Sequence, residues 1–113
     1  MIIRGGENIA PTEVENVLYE HPSVKEAAVV GVPSQKWGEE VGAFVMLKPG
    51  AAATPDELRD FCLKRLAYYK APRHVFLVDQ LPAVASGKIQ KFKLREDAIR
   101  RLGLEQVAAV KTA

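Results

Sequence analysis

Apolar residues recur along this chain with two different periods. After Thr12, the residues Val14, Val17 and Leu18 fall at helical spacing, and after Thr54 so do Leu58, Phe61, Cys62 and Leu66. Thr12 is followed by Glu15 and Thr54 by Glu57, each at the offset of a capping box. In that motif a hydroxyl and a carboxylate satisfy backbone donors left over at a helix start. Pro55 stands at a first helical position, where a missing N–H costs nothing. A third helix is predicted from Phe92 to Leu102, with Leu94, Ala98, Ile99 and Leu102 as its buried stripe and Gly103 as its stop.

The strand signals lie between these helices. Ala27 to Val32 and Val41 to Leu47 are short, apolar and valine-rich. They read as antiparallel neighbours joined by a loop over Pro33 to Glu40, and Pro49-Gly50 ends the second. Val75 to Val78 is a shorter third strand. The pattern predicts an α+β domain, a small mostly antiparallel sheet of about three strands packed with about three helices.

Composition narrows the function classes. The chain has 113 residues, 48% hydrophobic and 27% charged, which is the composition of one folded domain. Its net charge of +2 excludes a strongly basic nucleic-acid binder. No apolar run approaches the ~18 residues of a membrane span. A single cysteine excludes an intrachain disulfide and a cysteine zinc cluster, and no metal site is expected. A reducing, cytoplasmic setting is the default expectation.

Several stretches could carry chemistry. In Leu81-Pro82-Ala83-Val84-Ala85-Ser86-Gly87-Lys88-Ile89, glycine can tighten a loop and project Lys88, a mobile ammonium suited to an anionic oxygen. Spacing alone favours an ordinary solvated lysine. A phosphate-binding P-loop fails, because Pro82 and Ile89 stand where a glycine and a Ser or Thr are required. Arg4-Gly5-Gly6-Glu7-Asn8-Ile9 pairs two glycines, which admit a ligand close to the backbone or simply turn the chain into the first helix. Trp37, the only tryptophan, could stack on a base or cover a core edge. Tyr68-Tyr69-Lys70-Ala71-Pro72-Arg73 mixes aromatic and basic groups near a helix exit. Cys62 lies on an apolar helix face and reads as a buried structural thiol. The basic cluster from Lys88 to Arg101 reads chiefly as a solvated helix face.

These stretches, in this order, resemble the C-terminal domain of the adenylate-forming (AMP-binding) acyl-CoA synthetase superfamily. The resemblance runs from Met1 to about Arg101, nearly the whole chain. It rests on Ile2-Ile3-Arg4-Gly5-Gly6-Glu7-Asn8-Ile9 with Pro11 and Glu13-Val14-Glu15, on His21-Pro22-Ser23-Val24, and on Ala27-Ala28-Val29-Val30-Gly31-Val32-Pro33. It continues through Lys36-Trp37-Gly38-Glu39, Tyr69-Lys70-Ala71-Pro72-Arg73 and Ser86-Gly87-Lys88-Ile89-Gln90-Lys91. The glycine pair and the Lys88 stretch look most like fatty or aryl acyl-CoA ligases.

The resemblance implies a lid domain over residues 1–103 and a flexible tail over 104–113. It implies an AMP-forming acid–thiol ligase whose ATP- and acid-binding N-terminal domain is absent from this chain. That domain would be the lid's partner, and it would hold ATP with its magnesium and the small-molecule acid. The lid closes over it, and the fragment alone is expected to be inactive. Lys88 is implied as the catalytic residue of adenylate formation. Gly5, Gly6, Glu7 and Asn8 are implied to line the coenzyme A thiol channel after the lid rotates. Trp37, Tyr69 and Arg73 match positions near the coenzyme A nucleotide. Lys91 stands where many members carry Arg. A stand-alone nucleotide- or protein-binding module, or an adenylation subdomain of a peptide synthetase, are the competing readings.

Overall fold

The computed structural model describes residues 1–82 and 89–104. Five strands and three helices follow one another: β1 (Ile2–Arg4), β2 (Glu7–Ile9), α1 (Pro11–Tyr19), β3 (Val24–Ser34), β4 (Gly38–Leu47), α2 (Pro55–Leu63), β5 (His74–Leu77) and α3 (Lys91–Leu102). A 3-10 turn, Tyr68–Lys70, separates α2 from β5. The sheet runs β2-β1-β4-β3, and β5 pairs with β4 on the side away from β3. The α+β class and the three helices are as expected. The sheet has two strands more than the sequence pattern predicted. They are the hairpin β1–β2, whose strands are too short to show a period.

Strands β3 and β4 form the backbone of the domain, paired antiparallel from Val24↔Leu47 to Ser34↔Gly38. Pairing continues well into the stretch expected as a loop, which leaves Gln35-Lys36-Trp37 as the connection. Strand β5 lies parallel to β4, from Gly42↔His74 to Val45↔Leu77. Both sheet faces are covered. Ala27, Val29, Val41, Ala43 and Val45 pack on one face with Val14, Val17 and Leu18 of α1 and Leu58 and Cys62 of α2. Ala28, Val30, Val32 and Phe44 pack on the other with Leu94 and Ala98 of α3. This two-sided burial explains the unbroken apolar runs of β3 and β4. Each fully buried valine or leucine contributes about 1.5–3 kcal/mol.

The helix starts divide into one success and one correction. Thr54 Oγ1 accepts from the Glu57 amide at 3.1 Å, as a cap should. At α1 the cap position is Ala10, with no side-chain cap, and Pro11 begins the helix. Thr12 therefore lies inside the first turn, and Glu15 turns to other partners. Leu66 lies past the end of α2 and packs partly buried against the core. Gly103 ends α3 in the left-handed conformation with φ +66°, as expected of a C-terminal stop.

Candidate functional site

The Gly5-Gly6 pair forms the two-residue turn of the β1–β2 hairpin, with φ +57° and +87°. A two-residue turn with both angles positive matches the twist of paired strands, and glycine adopts it without steric cost. Gly5 has a second reason to be glycine. A Cβ there would sit 2.8 Å from Cε3 of Trp37, so the indole lies directly against the turn. The Gly5 amide also donates to the Trp37 carbonyl at 2.8 Å. Around Gly6 a Cβ would meet nothing within 4 Å, and Glu7 and Asn8 beside it are exposed. The four residues expected to line a channel thus form one open corner, backed by Trp37.

Two cations stack on that indole. The Arg4 guanidinium carbon is 4.3 Å and the Lys36 ammonium 4.8 Å from the ring centroid. Such contacts hold positive charge at an aromatic surface without neutralising it. Arg73 approaches from the start of β5. Its amide donates to the Val41 carbonyl at 2.9 Å, and its carbonyl accepts from Arg59 Nη1 at 3.3 Å. Arg4, Arg59 and Arg73 line one shallow groove of about 170 Å³, with Tyr68 and Pro72 among its walls. Neither Arg4 nor Arg73 has a carboxylate partner among the described residues. The result is a cationic, partly aromatic surface suited to a phosphate-bearing ligand.

Trp37 and Arg73 are therefore brought to the same side of the domain as the hairpin. Tyr69 is half-buried and packs against the main core, and its exposed neighbour Tyr68 is the one that borders the groove. The sequence marks Arg4 and Tyr68 only as members of their stretches, and it does not mark Arg59. Arg59 was the least visible, being one charged residue on an amphipathic helix. Lys70 fixes the 3-10 turn to α1, with Nζ at 3.0 and 3.1 Å from the two Glu13 oxygens. That hydrogen bond raises the ammonium above its ordinary value. Partial desolvation opposes it, and the Glu13, Tyr69 and Glu7 charges add to it.

Lys88, the candidate catalytic residue, lies outside the described residues, as do residues 105–113 of the expected tail. The residues on either side of 83–88 are held. The Gln90 amide donates to the Pro82 carbonyl at 2.8 Å. Lys91 Nζ meets Glu15 Oε2 at 2.7 Å, and the same carboxylate oxygen accepts from the buried Val29 amide at 2.8 Å. Glu15 thus ties α1, the β3 edge and the start of α3 together. Lys91 fills this point-charge contact with one ammonium, so the substitution of Lys for Arg is no handicap there.

Other titratable groups are structural. Cys62 is fully buried and its thiol is pushed up to about 11 by burial, so it is no nucleophile. His74 Nε2 lies 3.5 Å from Glu40 Oε2. Burial lowers its pKa, and the attraction of Glu40 offsets this only in part. Among the described residues no cluster of His, Cys, Asp and Glu could hold a metal ion. No described helix is long and apolar enough to cross a membrane. A cavity of about 520 Å³ between β5 and α3 is bordered by none of the described candidate site residues.

Comparison with known proteins gives the family of the chain. The profile of the AMP-binding enzyme C-terminal domain matches residues 13–88. YngI of Bacillus subtilis (strain 168), whose name provisionally marks it as an acyl-CoA synthetase, is 52% identical over 104 residues, covering 92% of this chain and 19% of the relative. The mitochondrial medium-chain acyl-CoA ligase ACSF2 of Danio rerio is 48% identical over 104 residues, 92% of this chain and 17% of its own length. The crystal structure of a Brucella canis acyl-CoA synthetase superposes with a TM-score of 0.82 at 43% identity, over 89% of this chain and 19% of that one. The chain spans less than a fifth of each of these proteins, and within that span it belongs to the AMP-binding enzyme C-terminal domain family, the C-terminal domain found in acyl-CoA synthetases.

Proposed function

We propose that this domain is the mobile lid of an AMP-forming acyl-CoA synthetase. The enzyme joins a carboxylic acid to AMP at the expense of ATP and then passes the acyl group to the thiol of coenzyme A. The ATP, its magnesium ion and the acid are held by an N-terminal domain of the same enzyme, and the protein works in the cytoplasm. The observation that carries the reading is the open Gly5-Gly6 corner beside Arg4 and Arg73, which have no carboxylate partner among the described residues, in a chain of this family. A narrow thiol arm needs a backbone without side chains, and a phosphorylated nucleotide needs cations beside an aromatic face.

In the first half-reaction, Lys88 supplies positive charge where the acid's carboxylate meets the α-phosphate. Two anions repel each other in water. A fixed ammonium in a closed site offsets that repulsion and stabilises the charge that builds up on the phosphate oxygens. In the second half-reaction the hairpin faces the site. Gly5 and Gly6 leave room for the pantetheine arm, and Glu7 and Asn8 present polar groups beside it. Arg4, Arg73 and Trp37 receive the phosphates and ring of the nucleotide portion, with Tyr69 supporting the turn behind them.

The test uses the full-length enzyme. Lys88→Ala is expected to slow adenylate formation by about a hundredfold or more, read as acid-dependent pyrophosphate exchange. Thioester formation from supplied acyl-adenylate should change little. Equal loss in both half-reactions would refute the role given to Lys88.

A further inference from the structure

The hairpin β1–β2 has little ladder holding it to the sheet. A single residue pair, Arg4↔Gly38, joins β1 to β4. At Ile3, one residue earlier, the amide finds a side chain instead of a strand. It donates to Oε1 of Glu39 at 3.0 Å. Glu39 lies on β4 opposite Pro33, which places it on the same face as Gly31, two residues along the partner strand. A Cβ at Gly31 would run into the Glu39 carboxylate. The carboxylate therefore occupies the space that a side chain at Gly31 would fill, and from there it reaches the hairpin.

We propose that Glu39, seated in the notch left by Gly31, is a positioning residue that sets the hairpin against β4 and so fixes where Gly5 to Asn8 sit during thioester formation. The inference rests on the reading that this hairpin lines the thiol channel. Buried Ile2 and Ile9 seat the hairpin in the main core, and its turn end is tied to β4 by the Arg4↔Gly38 pair, of which the Gly5 amide on the Trp37 carbonyl is one bond. The Glu39 bridge holds Ile3 between those two anchors. Without it, β1 tilts between them and carries the turn with it. A misplaced channel wall slows thiol attack while leaving the chemistry of the other half-reaction alone. Gly31 has an unstrained backbone, so alanine fits there, and what must yield is the far end of the Glu39 side chain.

The experiment compares Glu39→Ala, Gly31→Ala, their double variant and Glu39→Gln in the full-length enzyme. Each alanine variant should slow thioester formation from supplied acyl-adenylate by about tenfold and alter pyrophosphate exchange by less than about twofold. The double variant should be no slower than either single one, because both remove the same contact. Glu39→Gln, whose amide oxygen can still accept from Ile3, should remain near wild type. In the 113-residue chain, amide hydrogen exchange at Ile3 should accelerate in both alanine variants and not in Glu39→Gln. Equal loss in both half-reactions, additive losses, or unchanged Ile3 exchange would each overturn the proposal. A Gly5→Val control separates it from the reading it rests on. If that variant leaves thioester formation intact, the hairpin is no channel wall and the functional reading fails, while the Ile3 exchange data still report on the tether.

Discussion

The two edges of the sheet are finished in opposite ways. Along β3, the side chains of α1 take up the outward-facing backbone. The Tyr19 hydroxyl lies 3.2 Å from the Ala27 amide and 3.3 Å from its carbonyl, and Glu15 accepts the Val29 amide at 2.8 Å. Lys91 reaches the same carboxylate, so helices of both layers close over this edge. The hairpin side has one ladder pair to β4 and a carboxylate bridge, with Ile2 and Ile9 buried in the core beneath it. A bare strand edge invites unwanted pairing, and the β3 edge is sealed against it. The hairpin edge keeps Glu7 and Asn8 exposed and, among the described residues, leaves Arg4 and the nearby Arg73 without a carboxylate partner. Candidate chemistry sits where the sheet is least tightly tied, because a surface that must meet a ligand cannot also be consumed by internal contacts.

The sharpest way to break this contrast is at Glu15. Glu15→Ala strands the buried Val29 amide and the Lys91 ammonium, and should cost about 2 kcal/mol in urea denaturation of the chain. A loss within about 0.3 kcal/mol would mean that water replaces the carboxylate and the edge is not sealed by it. Tyr19→Phe removes the hydroxyl that serves Ala27 both ways and should cost about 1 kcal/mol, by the same measurement.

The hairpin edge should respond differently. Gly5→Ala forces a Cβ against Trp37 at φ +57°, a local strain of about 1–2 kcal/mol. The expected outcome is faster amide exchange over Ile3 to Asn8 and a loss in urea denaturation smaller than that of Glu15→Ala, because the turn relaxes while Ile2 and Ile9 stay in the core. A midpoint shift as large as that of Glu15→Ala would show that the two edges are equally built into the fold. The smallest effect belongs to His74 on β5. Burial depresses its folded pKa below 6.5, so the unfolded chain binds the proton more readily. The folded domain is therefore favoured above the unfolded pKa and loses stability as pH falls from about 6.5 through the lower folded value. A His74→Gln variant should lose that part of the pH slope.

The elements legible in the sequence were those with local causes. The Thr54 cap, Pro55 at the start of α2, the Gly103 stop and the buried runs of β3 and β4 all act within a few residues of chain. The Thr12 cap failed because Pro11, one residue earlier, begins the helix first. The carboxylate released from that box became the clamp on the β3 edge. Of the candidate site, the glycine pair, Trp37 and Arg73 could be marked as residues, and their proximity could not. Arg59 became visible only once the groove it shares with Arg4 was visible.

The chain's own order of residues determined its helices, its central hairpin of strands and its family, since propensity, capping and apolar period are properties of neighbours. Tertiary structure decided the parallel seat of β5, the Lys70–Glu13 bond between residues 57 apart, and the gathering of arginines from a hairpin, a helix and a strand start at one groove. Those contacts arise from the packing of layers against a shared core, and no short-range rule encodes which distant charges that packing will bring face to face.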